Sequence, residues 1–126
     1  MGATSFTHVI HTDVPLQSAF SEAYEQAAYD YGHAGYTGTI AEKPGAIHFV
    51  LPEGVTPEEA LSALQNSYAY WDSGLRTEVP GKVPEWAGRM KPGAWERMAD
   101  VYNDKWGEAV AFKTEDGWLF CGWASC

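Results

Sequence analysis

One stretch near the end of the chain does most to limit the fold. Ala109 to Lys113 is an apolar run, Glu115-Asp116-Gly117 follows, and Trp118 to Ala124 is apolar again. Asp-Gly between two apolar runs is a strong short-range signal for a β-hairpin. A hairpin alone is marginal in water, so this one needs further strands and a covering layer. Along the last strand, Trp118, Phe120 and Trp123 are expected on one side, with Leu119 and Cys121 on the other.

The preceding chain supplies candidates for both. Thr4 to His11, rich in Thr, Val, Ile and Phe, reads as a first strand. Asp13 is placed to cap a helix with Pro15 in its first turn. Leu16, Phe20, Ala23, Tyr24, Ala27, Ala28 and Tyr31 then recur at helical spacing, and Gly32 is a natural stop. The glycine-punctuated run from Gly32 to Ile40 leads into a second strand. Lys43-Pro44-Gly45 reads as a turn, and Ala46 to Leu51 as the returning strand of a hairpin. Thr56-Pro57-Glu58-Glu59 is the clearest helix start, because the Thr oxygen and the Glu carboxylate satisfy each other's free backbone donors. That helix is expected to bury Ala60, Leu61, Leu64, Tyr68 and Trp71 and to end at Gly74. Val79 to Pro92 reads as an ordered, proline-rich excursion around Trp86. A third helix from near Pro92 buries Trp95, Met98, Val101 and Tyr102.

The order is therefore β-α-β-β-α-α-β-β. It predicts a single α+β domain spanning 1–126, with about five strands in an antiparallel or mixed sheet and three helices packed mainly on one face. The opening half matches a ferredoxin-like beginning, and the second half does not continue that pattern.

With 126 residues, 45% of them hydrophobic and 14% aromatic, the chain is able to bury a core and does not fit a disordered class. Eight basic side chains against seventeen acidic ones give a formal net charge of −9. That balance argues against binding along a nucleic-acid backbone, which needs a basic surface. It leaves a protein partner, a small ligand or plain solubility. The acids are dispersed rather than in long runs, which weakens a reading as a nucleic-acid mimic. No apolar run approaches the ~20 residues of a membrane span, and Met1 to Phe6 lacks the pattern of a secretion signal. Cys121 and Cys126 lie roughly 16 Å apart on an extended strand, beyond the reach of a disulfide. A reducing cytoplasm is the expected compartment, and no metal or cofactor is expected.

The most unusual segment is Gly32 to Thr39. Its glycines at three-residue intervals can expose consecutive backbone N–H groups to an anion, and the threonine hydroxyls add donors. The ligand-binding candidates are His33, Gly35, Tyr36, Thr37, Gly38 and Thr39, with Glu42 as an acceptor. The segment is neither a Walker loop nor a dinucleotide fingerprint, and it follows a helix whose C-terminal dipole disfavours phosphate. A helix cap, a turn and a relaxed strand start explain the same glycines without any ligand.

His8 and His11, three apart on a strand, point to opposite faces and make no simple metal pair. His33, close in sequence to Asp30 and Glu42, is the one candidate general base, but no second catalytic group accompanies it. No catalytic residue is assigned. Core and rim packing accounts for most of the tryptophans. Trp86, inside the proline-rich excursion, is the candidate exposed anchor for a partner.

Tyr31-Gly32-His33-Ala34-Gly35-Tyr36-Thr37-Gly38-Thr39-Ile40-Ala41-Glu42-Lys43 and Trp118-Leu119-Phe120-Cys121-Gly122-Trp123-Ala124-Ser125 resemble small uncharacterised α+β proteins encoded by bacteriophages and actinobacteria. The resemblance carries over no activity and no functional residue. It implies a short accessory protein made in a bacterial cytoplasm by the bacterium or a phage. The expected function is a non-enzymatic acidic binding protein that engages a host protein. The alternatives are a nucleotide-type ligand binder built on the Gly32–Thr39 loop, and a small hydrolase with His33 as base.

Overall fold

The structure, a computed structural model, describes residues 2–31, 37–67 and 70–125. The described residues form β1 (Ala3–Ile10), α1 (Leu16–Tyr31), a 3-10 turn (Ile40–Glu42), β2 (Ala46–His48) and α2 (Pro57–Gln65). They continue as β3 (Tyr70–Asp72), β4 (Thr77–Val79), a second 3-10 segment (Glu85–Arg89), α3 (Ala94–Asn103), β5 (Ala109–Lys113) and β6 (Trp118–Ser125). Four strands make one mixed sheet in the order β1-β6-β5-β2, and β3-β4 is a separate two-stranded ribbon. The fold is α+β.

The C-terminal hairpin forms as its turn chemistry dictates, with Val110 opposite Cys121 and Phe112 opposite Leu119. It lies in the middle of the sheet. β1 runs antiparallel to β6, and β2 runs parallel to β5. β1 and β2 therefore point the same way, and the hairpin is inserted between the two strands that α1 connects. Ala46 to Leu51 is thus not the return arm of a hairpin: only Ala46–His48 is a strand, and its partner is Ala109 to Ala111. The ferredoxin-like beginning is not continued.

Both faces of the hairpin are apolar, and both are covered. Val110, Phe112, Leu119 and Cys121 pack with Ala60 and Leu64 of α2 and with Trp95, Met98 and Tyr102 of α3. Ala111, Trp118 and Phe120 pack on the opposite side with Ala19, Phe20, Ala23 and Ala27 of α1, with Ile10 and with Ile40. The helices are therefore divided between the two faces rather than gathered on one. Strands buried on both sides read as continuous apolar runs, which is the composition seen here. Trp123 packs with the Leu119 and Cys121 side, not with Trp118 and Phe120, as the two-residue period of a strand requires.

Local signals set the helix limits. α1 begins at Leu16, and Asp13 lies outside it, its carboxylate 3.2 Å from Lys113 Nζ. α2 starts as its capping box predicts, with Thr56 Oγ1 accepting from Glu59 N at 3.1 Å. It ends at Gln65, well before Gly74. Asn66 Nδ2 donates to Ser62 O at 2.9 Å and Ser67 Oγ to Leu64 O at 2.6 Å, so side chains close the last turn. Trp71 belongs to β3, paired in register with Glu78 of β4. Tyr68 lies outside the described residues.

The hairpin turn rests directly on the end of β1. A Cβ added at Gly117 would lie 1.8 Å from Ile10 O, whereas one added at Gly45 meets nothing within 4 Å. Gly117→Ala should therefore lower the unfolding free energy by about 2–3 kcal/mol, as forced overpacking does. Gly45→Ala should leave it within about 1 kcal/mol of the parent. Paired urea titrations check this, and equal midpoints for the two variants would contradict the contact.

Candidate functional site

Of the glycine-rich segment, the structure describes Thr37, Gly38 and Thr39; His33, Gly35 and Tyr36 lie outside the described residues. Thr39 does not begin a strand. Its hydroxyl accepts from Ala41 N at 3.2 Å and caps the 3-10 turn. Thr37 donates to Glu42 Oε2 twice, from its backbone N at 3.1 Å and from its hydroxyl at 2.8 Å. Thr37 Oγ1 also lies 2.8 Å from Thr39 Oγ1. Gly38 holds φ 73°, a left-handed conformation suited to glycine, and its N–H donates to Ser125 O at 2.8 Å. Among the described residues, the Thr37 and Gly38 donors expected to hold an external anion are thus engaged by the chain's own carboxylate and by the end of β6. Gly38, Thr39 and Ile40 do border a hollow of about 320 Å³ beside β1 and α1.

The described histidines are separated. His8 Nε2 donates to Gln26 Oε1, and His11 Nδ1 to Asp116 Oδ2, each at 2.8 Å. The His11 hydrogen bond holds the Asp116 carboxyl below its ordinary range, on an exposed surface. His48 stands edge-on to Trp118 with ring centroids 4.9 Å apart. Partial burial, with Lys113 nearby, pushes its pKa down and favours the neutral ring at pH 7. Among the described residues no cluster of His, Cys, Asp or Glu is placed to hold a metal ion. No helix among them is long and apolar enough to cross a membrane.

Trp86 is not an exposed anchor. It is half-buried, packs against the core beneath α3, and meets Trp95 edge-to-face at 5.5 Å. It sits in the 3-10 segment that Pro84 precedes. Trp106, by contrast, is exposed.

The cavity that collects charge lies elsewhere. A hollow of about 430 Å³ opens between His48–Pro52 and the segment that runs from Arg89 into α3. Phe49, Leu51, Met90 and Ala94 give it an apolar floor, and Arg89, Lys91 and Arg97 line it. These are three of the eight Lys and Arg side chains in the chain, and no carboxylate shares the lining. Among the described residues none of the three forms an ion pair: the two ion pairs there are His11–Asp116 and Lys113–Asp13. Arg89 Nη1 donates to Glu53 O at 3.1 Å, and the Arg97 guanidinium lies 5.9 Å from the centre of the Phe49 ring. A second hollow of about 310 Å³ adjoins it along His48–Leu51 and adds Lys113. The sequence carries a signal for this face in Arg89-Met90-Lys91 and Arg97, a basic stretch in an acidic chain. Net charge averages that signal away.

Comparison with known proteins finds no matching family model, no matching curated protein and no matching solved structure.

One cation is structural. Lys43 is 3% exposed and donates from Nζ to Asp104 O at 2.8 Å. Burial lowers its pKa from 10.5 to about 8, and Asp104 and Glu108 partly oppose that shift. Between those values the unfolded chain holds more protons than the folded one, so stability rises with pH. The fully buried Cys121 thiol acts in the other direction above pH 9, since burial pushes it from 9.0 to about 12. The unfolding free energy should therefore climb by about 1 kcal/mol between pH 7 and 9. Lys43→Met should remove the climb, which denaturant titrations at each pH will read; an unchanged slope in the variant would contradict the assignment.

Proposed function

We propose that the protein is a non-enzymatic binding protein, an accessory factor that engages a partner protein through the face carrying Arg89, Lys91 and Arg97. The observation that carries this reading is the concentration of unpaired cations over an apolar floor, in a chain of net charge −9. Basic groups cost nothing to keep in water, but gathering them without carboxylates beside exposed Val50 favours an acidic, partly apolar ligand. Aliphatic residues in such a face add the non-directional part of the affinity. The resemblance to phage and actinobacterial proteins supports a bacterial cytoplasm as the setting. A nucleotide held by the Gly32–Thr39 loop is the weaker reading, because Glu42 already takes the donors of Thr37.

The test uses immobilised protein in bacterial lysate at about 0.15 M salt, where charges beyond ~8 Å are screened. The comparison bait is Arg89→Glu/Arg97→Glu, after circular dichroism and melting show it folded. A specific partner should stay on the parent bait, leave as salt rises, and be lost on the variant. Proteins held only by overall negative charge should bind the variant at least as well, because it is more acidic. An empty or identical set of retained proteins on the two baits would overturn the proposal.

A further inference from the structure

Resting on that reading, we infer that the groove between His48–Pro52 and Arg89–Arg97 receives an extended acidic segment of the partner, which adds as a strand to the outer edge of β2. The backbone supplies the first argument. Phe49 N donates to Ala111 O and Ala109 N donates to Gly45 O, so the odd residues of this stretch turn their N–H and C=O toward β5. Successive residues of a strand alternate, so Ala46, His48 and Val50 turn theirs away from the sheet. Among the described residues β2 is the last strand on that side, and no further strand pairs with it. Among the described residues those outward N–H groups make no backbone hydrogen bond. An open edge of this kind is a template for one more extended chain.

Charge supplies the second argument. Arg89, Lys91 and Arg97 face His48 and Val50 across the hollow, and no carboxylate lies between them. The N-terminus of α3 borders the same groove: Gly93 caps it without a side-chain hydrogen bond, Ala94 lines the groove, and Glu96 of the first turn is not part of the lining. Helix N-termini favour negative charge. A strand docked on β2 presents alternate side chains to this wall, so acidic residues at every second position suit it. Val50, 76% exposed, offers the aliphatic contact for the positions between.

The experiment measures fluorescence anisotropy with a labelled ten-residue peptide of alternating Glu and Val. Its controls are the Lys-Val peptide, a Glu-Val peptide N-methylated at alternate residues, and free glutamate as competitor. The Glu-Val peptide should bind and weaken as salt rises, and the Lys-Val peptide should not bind. Lys91→Glu, at an exposed residue, and Arg89→Glu/Arg97→Glu should each reduce affinity at least ~10-fold. Methylation that blocks the main chain should do the same, and backbone NMR shifts should centre on His48 and Val50. Binding unaffected by both variants, or by methylation, would overturn the inference. Displacement by free glutamate at concentrations equal to the peptide's own would also overturn it, pointing to a simple anion site. Groove-dependent capture of a partner from lysate without binding of this peptide would remove the acidic strand and leave the binding-protein reading standing.

Discussion

The burial of the β5–β6 hairpin on both faces is the interaction on which the rest of the structure depends. Val110, Phe112, Phe120 and Cys121 are completely buried. Burying an aliphatic or aromatic side chain of this size is worth about 1.5–3 kcal/mol relative to exposure. Neither layer of helices provides that alone. α1 seals Phe120 and Trp118, while α2 and α3 seal Phe112, Leu119 and Cys121. Trp118 also spends its indole N–H on Val14 O at 2.7 Å, tying the hairpin to the loop before α1. β1 and β2 then complete the hydrogen bonding on either side.

Placing the hairpin in the centre forces β2 to the edge, and that position gives the groove its shape. α3 packs its Trp95, Met98 and Tyr102 on the hairpin, so its N-terminal end and the residues from Arg89 stand over the continuation of β2. The apolar core fixes the backbone, and the cations project from it into solvent. In the proposed binding face this fixed backbone adjoins the open edge of β2, and a backbone already in place needs little ordering on binding. The same core leaves Lys43 buried against Asp104, a cost the fold carries in its interior.

What could be read in the sequence was local. The hairpin, the capping box at Thr56 and the apolar stripe of α3 each lie within a few residues, and each formed as its chemistry required. The parallel pairing of Ala46–His48 with Ala109–Ala111 was hidden, because it joins strands far apart in the chain and leaves no turn signature. The run from Gly32 to Ile40, with Thr37 and Thr39, read as the entry to a strand or as a ligand loop. Their hydroxyls instead serve Glu42 and Ala41, a competition between side chain and ladder that composition does not decide. The face lined by Arg89, Lys91 and Arg97 was written in the sequence, but the excess of acid elsewhere conceals it.

The open edge of β2 is the claim that most needs a direct measurement. Native-state hydrogen exchange, read residue by residue by NMR, distinguishes amides that face the sheet from those that face solvent. Val110 to Phe112 and Leu119 to Cys121 should exchange most slowly. Along β2 and its continuation the pattern should alternate, with Ile47 and Phe49 protected and His48 and Val50 exchanging fast. Uniform protection from Ala46 to Val50, or a hairpin that exchanges faster than β1, would contradict the account.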